Sequence, residues 1–154
     1  MMFRAITLQE ANVFLPLIKD HFVRIHSLVA EGQLLQESTA KRKVATQETA
    51  LGSMQEISDT PPKPRNTLKQ KQKRLKEIES EIREEVLEMH CYGAIVKSVF
   101  PARIDFLSEL YRQPIYLCWQ SGDKAVSHWH SVEEGFASRR PIQHPQSFGP
   151  LVVH

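Results

Sequence analysis

Three features of the 154-residue sequence predict an α+β fold. An apolar stripe at three- and four-residue spacing lies near the N-terminus, and a second helically spaced run, dense in charge, lies past the middle. After Cys91-Tyr92-Gly93 the period drops to two. The implied architecture is two long helices, a coiled-coil-like helical hairpin, against a small antiparallel β-meander of three to four strands. A single domain over residues 1–142 is expected, with a flexible linker at 37–66 and a Pro-rich tail at 143–154.

The first helix has a marked start. Thr7 caps it, and Glu10 sits three residues on, where its carboxylate reaches back to the Thr7 amide. Leu8, Ala11, Leu15, Ile18, Phe22, Ile25 and Val29 then form a heptad stripe, widened by Phe14, Leu17 and Leu28. Pro16 cannot donate to the Asn12 carbonyl, so a bend is expected there; the stripe keeps its phase on both sides. Gly32 weakens any continuation through Leu34 and Leu35. From Glu37 to Asn66 the chain turns to Ser, Thr, Gln, Lys and Pro, and Thr60-Pro61-Pro62-Lys63-Pro64 excludes a helix interior, which is the composition of a linker.

The second helix starts near Thr67 and carries Leu68, Leu75, Ile78, Ile82, Val86 and Met89 on helical spacing. Its cations precede its acids, an order that opposes the helix dipole and must be overcome by packing. Strands are expected at Ala94–Phe100, Arg103–Leu107, Ile115–Trp119 and Ala125–His130, the last two joined by Ser121-Gly122-Asp123-Lys124. Ser131–Arg140 reads as a turn or short helix, and the tail with Pro141, Pro145 and Pro150 as a draped coil. A small sheet covers such a stripe only partly, which predicts a hairpin or a homo-oligomer formed along it.

Composition narrows the function. The chain is 41% hydrophobic and 25% charged, as globular chains are. Its 20 basic and 18 acidic residues leave +2, too balanced for nucleic acid or membrane to be the partner of the whole chain. Two cysteines do not build a disulfide scaffold, and no signal-like or bilayer-length apolar segment is present, so a cytoplasmic protein with reduced thiols is expected.

The run Tyr116-Leu117-Cys118-Trp119, then Trp129-His130, Glu134-Gly135-Phe136-Ala137, Arg139 and Pro141, resembles domain-of-unknown-function family 2203, a bacterial family. Thr7-Leu8-Gln9-Glu10-Ala11-Asn12 with Leu15-Pro16 resembles that family's opening. Family members usually carry Gly where Ser138 stands. The resemblance implies a cytoplasmic bacterial protein with a helical pair and a small sheet, and no activity.

Chemistry has three places to sit. Cys118, His128 and His130, with Glu133 or Glu134 as a fourth donor, make a zinc-type set. A two-residue turn at Gly122-Asp123 would pair Cys118 with Ser127, facing away from both histidines; only an odd-length loop or a bulge brings Cys118 opposite His128. The second is a pocket for a small anionic ligand from Trp119, Trp129, His130, Glu134 and Arg139, with the guanidinium on a carboxylate or phosphate; the alternative is a structural Glu134–Arg139 ion pair. A thiol nucleophile at Cys118 has no nearby helix N-terminus to activate it. The leading expectation is a non-catalytic binding or assembly module, its helices for self-association and its Trp/His/Arg cluster for a ligand or partner. The alternatives are metal-dependent hydrolysis at Cys118, His128 and His130, and weak RNA-backbone contact through the basic segment Lys63–Lys76, which lacks interleaved aromatics.

Overall fold

The computed structural model describes residues 3–49 and 67–151, with the backbone alone at 40–49. The elements are α1 (Leu8–Thr49), α2 (Leu68–Cys91), β1 (Ala94–Val99), β2 (Ala102–Leu110), β3 (Gln113–Gln120), β4 (His128–Ser131) and β5 (Arg140–Pro141), with one-turn helices at Phe136–Ser138 and Pro145–Ser147. The architecture is α+β. The sheet is antiparallel in the order β1-β2-β3-β4-β5, one strand more than expected because Arg140–Pro141 returns alongside β4. The chain forms two compact units, Met1–His26 with Glu84–His154, and Ser27–Arg83.

Both helices open on reciprocal caps. Thr7 Oγ1 accepts from the Glu10 amide at 3.0 Å, and Glu10 Oε1 accepts from the Thr7 amide at 3.2 Å. Thr67 and Gln70 make the same exchange at 3.2 and 2.9 Å. Each exchange satisfies two amides a helix start leaves orphaned. α1 runs unbroken through Pro16 and Gly32 to Thr49. The stretch 37–49, expected as linker, is therefore helical; 50–66 lies outside the described residues.

In the first unit Ile18 and Ile25 are fully buried, and Leu15 and Phe22 are 3% exposed. This part of the stripe is buried inside the unit; of the expected hairpin or homo-oligomer along the stripe, the second is not tested by a single chain. Burying each such side chain contributes about 1.5–3 kcal/mol. Trp119 of β3 meets Phe22 at 6.3 Å between ring centres. Asn12 Oδ1 accepts from the Val126 amide at 2.8 Å, and its amide nitrogen donates to the Val126 carbonyl at 3.3 Å, tying helix to loop.

Two flanking segments complete β2 where β1 ends. The Ile6 amide donates to the Leu107 carbonyl, and the Gly149 amide to the Glu109 carbonyl, both at 2.9 Å. Phe148 is buried and bridges Leu110. The described part of the tail is thus anchored to the sheet. Gly149 has φ +137°, and an added Cβ there would stand 2.8 Å from Thr7 Cγ2.

The second unit is a helical hairpin within one chain. Gly32 lies against Leu75 and Ile78, Arg74 Nη2 reaches Glu31 at 2.8 Å, and the buried Lys71 ammonium donates to Ser38 Oγ.

Candidate functional site

Strand alternation divides the predicted site residues between the two faces of the sheet. Directly paired residues of an antiparallel sheet share a face. Cys118 pairs with Asp105 on one side and His128 on the other, while Tyr116 pairs with His130. Asp105, Cys118, His128 and His130 therefore stand on one face. Trp119 and Trp129 occupy the opposite face, Trp119 against Phe22 and Trp129 paired with Leu117 and 5.9 Å from Phe148. Aromatic and imidazole groups, expected to converge, are thus held apart by the sheet itself.

The expected two-residue turn is also overturned. β4 starts only at His128, so Ser121–Ser127 form a longer connection and the register moves to Cys118–His128. The chain turns one residue earlier than expected, at Ser121-Gly122, with the Asp123 amide donating to the Gln120 carbonyl at 2.9 Å; the Asp123 carbonyl accepts from Trp119 Nε1 at 3.0 Å, and its Oδ2 accepts from the Gln120 amide. Asp123 is also the partner of Arg139, at 2.6 Å and 3.4 Å. Burial works to raise the Asp123 carboxyl, but the bonds from Arg139 and the Gln120 amide outweigh it and hold it below its usual value. The expected Glu134–Arg139 pair does not form. Glu134 instead receives Arg140 Nη2 at 3.0 and 2.9 Å.

Three polar side chains are buried together on the first face. Asp105 and His130 are each 3% exposed and Cys118 is fully buried. His130 Nδ1 donates to the Ser131 carbonyl at 2.8 Å, and its Nε2 lies 3.1 Å from Asp105 Oδ2. One donor atom from each of the three lies within 4.8 Å of the others. Asp105 Oδ1 and Arg103 Nε, also buried, have no partner among the described residues. Burial and the neighbouring Asp105 push the Cys118 thiol up to about 12, which favours its protonated form at neutral pH. Arg103 and Arg139 both lie against the Phe136 ring, at 3.7 and 4.5 Å.

Asp105 was missed from sequence. The signal was a lone acid inside Arg103-Ile104-Asp105-Phe106-Leu107, where the two-residue period turns it away from Ile104 and Phe106. Of the expected zinc set, Cys118 and His130 come together with Asp105. His128 shares their face, its Nδ1 3.1 Å from Ser127 Oγ.

A groove lies where β2, β4 and the tail meet. Tyr111 and Arg112 turn β2 into β3 with φ +50° and +67°, left-handed values usually taken by Asn or Gly. Tyr111 is left 75% exposed. Two adjoining depressions of about 260 and 440 Å³ share Leu110, Tyr111, Trp129 and Arg140 as walls; the smaller is closed by His144 and Phe148. The Arg140 guanidinium sits 4.9 Å over Trp129.

Of the basic segment, 63–66 lies outside the described residues. Lys71 is buried on Ser38, and Arg74 is shared among Glu31, Glu77 and Glu81. Lys69, Lys73 and Lys76 remain exposed. Among the described residues no helix is long and apolar enough to cross a membrane.

Residues 4–142 match a family model described as an uncharacterized conserved protein, DUF2203. No curated protein and no solved structure matches the chain.

Proposed function

The chain belongs to the uncharacterized conserved family DUF2203, whose description carries no activity, and we propose from its own geometry that it is a non-catalytic binding module for a small anion with an apolar or aromatic body. The ligand occupies the groove of Tyr111, Trp129 and Arg140. The carrying observation is the guanidinium of Arg140 stacked on Trp129 at its wall. Glu134 takes only Nη2, and the described residues leave Nε and Nη1 of Arg140 without a partner. A planar fork over an aromatic floor suits a carboxylate or phosphate attached to a ring.

Two further observations support this reading. The turn holding Tyr111 spends backbone energy on two left-handed non-glycine residues, and such strain collects at binding sites. The stripe of α1 is occupied inside the first unit, so this reading makes the helices supports for the sheet rather than a self-association surface. Unpaired Cys91 and Cys118 suit a reducing, cytoplasmic setting.

Calorimetric titration with benzoate and phenyl phosphate tests the proposal. Saturable binding is expected, weakened at least tenfold in Arg140→Ala and Trp129→Ala. Absence of heat for every aromatic anion, or equal binding by Arg140→Ala, would remove it.

A further inference from the structure

We propose that Asp105, Cys118 and His130 form a binding site for one thiophilic divalent cation, zinc in the first place, on the face of the sheet away from the Trp129 groove. The three donors, a carboxylate oxygen, a thiolate sulfur and an imidazole nitrogen, form a set zinc accepts. They lie within 4.8 Å of one another, close to the spacing that three ligands of one small ion adopt.

Two observations support a cation at this place. The first is the orientation of His130. Its Nδ1 can only donate to the Ser131 carbonyl, which leaves Nε2 pointing at the Asp105 carboxylate 3.1 Å away. Nε2, the ring nitrogen left over, is thereby presented to the same buried space as the Asp105 carboxylate and the Cys118 sulfur. Metal-bound histidines are held in this way, with the second ring nitrogen donating to a backbone carbonyl. The second observation is Asp105 Oδ1, buried with no hydrogen-bond partner among the described residues, on a side chain that is 4% exposed. An orphaned buried carboxylate oxygen carries a heavy desolvation cost unless a cation meets it.

The charges balance. A divalent ion against one thiolate and one carboxylate gives a neutral set, with the Cys118 proton released to solvent on binding. Arg139 lies close to Cys118 but is neutralised by Asp123 at 2.6 Å. Three protein ligands leave a fourth position for water or a small exogenous donor. His128 shares the face but is not among the three, so its removal leaves the site intact.

Zinc titration of the intact, tag-free chain against a chromophoric chelator, with cobalt(II) as spectroscopic probe, decides the matter. One equivalent is expected, with a thiolate-to-cobalt charge-transfer band. Cys118→Ser should abolish the band and weaken binding more than about a hundredfold, beyond the loss of an outer partner. His128→Ala should retain both. Should Cys118→Ser fail to fold by circular dichroism, the wild-type stoichiometry and cobalt band still decide. Sub-stoichiometric zinc on the wild type, a cobalt spectrum without the thiolate band, or loss of binding in His128→Ala would overturn the proposal. Retained affinity in a folded Cys118→Ser would do so as well, assigning the ion to surface histidines.

Discussion

Asp105 and Cys118 are cross-strand partners on β2 and β3, both buried on the sheet face opposite Trp119. Their proximity makes the thiol hard to ionise. Burial first, then Asp105, push it up to about 12 from an ordinary 9.0. The unfolded chain therefore loses this proton at lower pH than the folded one. Stability should fall as pH climbs above about 9, with a slope approaching 1.4 kcal/mol per pH unit. Urea midpoints from pH 8 to 11 should show that slope in metal-free wild type and a shallower one in Cys118→Ser; identical slopes would contradict the assignment.

The two cysteines should differ sharply towards thiol reagents. Cys91 is exposed and Cys118 buried. A maleimide at neutral pH should label Cys91 and spare Cys118 until the chain unfolds, as read by peptide mass mapping. Equal labelling in the folded protein would show that the buried trio opens.

Asp123 gives stability of the opposite pH sense. Its carboxyl is held low by Arg139 and the Gln120 amide, against the upward push of burial. Its contribution is present above the usual carboxylate range and is lost as pH falls through the lowered value. Asp123→Asn should therefore lower stability at pH 7 and flatten the acid limb of the curve between roughly pH 5 and 2. An unchanged acid limb would mean that the pair with Arg139 contributes nothing.

Two glycines should answer alanine with opposite signs. At Gly149 the backbone has φ +137°, and a Cβ would stand 2.8 Å from Thr7 Cγ2 and 3.1 Å from Thr7 Cα. Gly149→Ala should cost more than about 1 kcal/mol and loosen the tail. At Gly32 the nearest atoms are the side chains of Leu75 and Ile78 at 3.8 and 3.9 Å, ordinary contact distances. Gly32→Ala should stabilise α1 by about 0.5–1 kcal/mol in thermal melts.

Local signals were well legible in the sequence. Thr7-to-Glu10 fixes the start of α1 through two hydrogen bonds that need no tertiary partner, and the change of period after Gly93 marks the passage into β1. The register of β3 against β4 was not legible, since the chain turns one residue early, at Ser121-Gly122, and Asp123, closing that turn, is also held by Trp119, Gln120 and Arg139, so that pairing resumes only at His128. That shift decides which face Cys118 shares with the histidines. Glu134 and Arg139 looked like partners because they are neighbours in sequence, yet the fold gives each another mate, Arg140 and Asp123. The extension of α1 to Thr49 was hidden because polar composition resembles a linker when no apolar stripe marks a helix face.

The groove is tested most directly by the indole N–H resonances of the two tryptophans. Trp119 is buried with its N–H bonded to the Asp123 carbonyl, whereas Trp129 lines the groove beneath Arg140. Titration with phenyl phosphate should shift the Trp129 indole signal saturably, leave the Trp119 signal in place, and lose the effect in Arg140→Ala. A shift confined to Trp119, or no shift at any concentration, would contradict the binding site assigned to this chain.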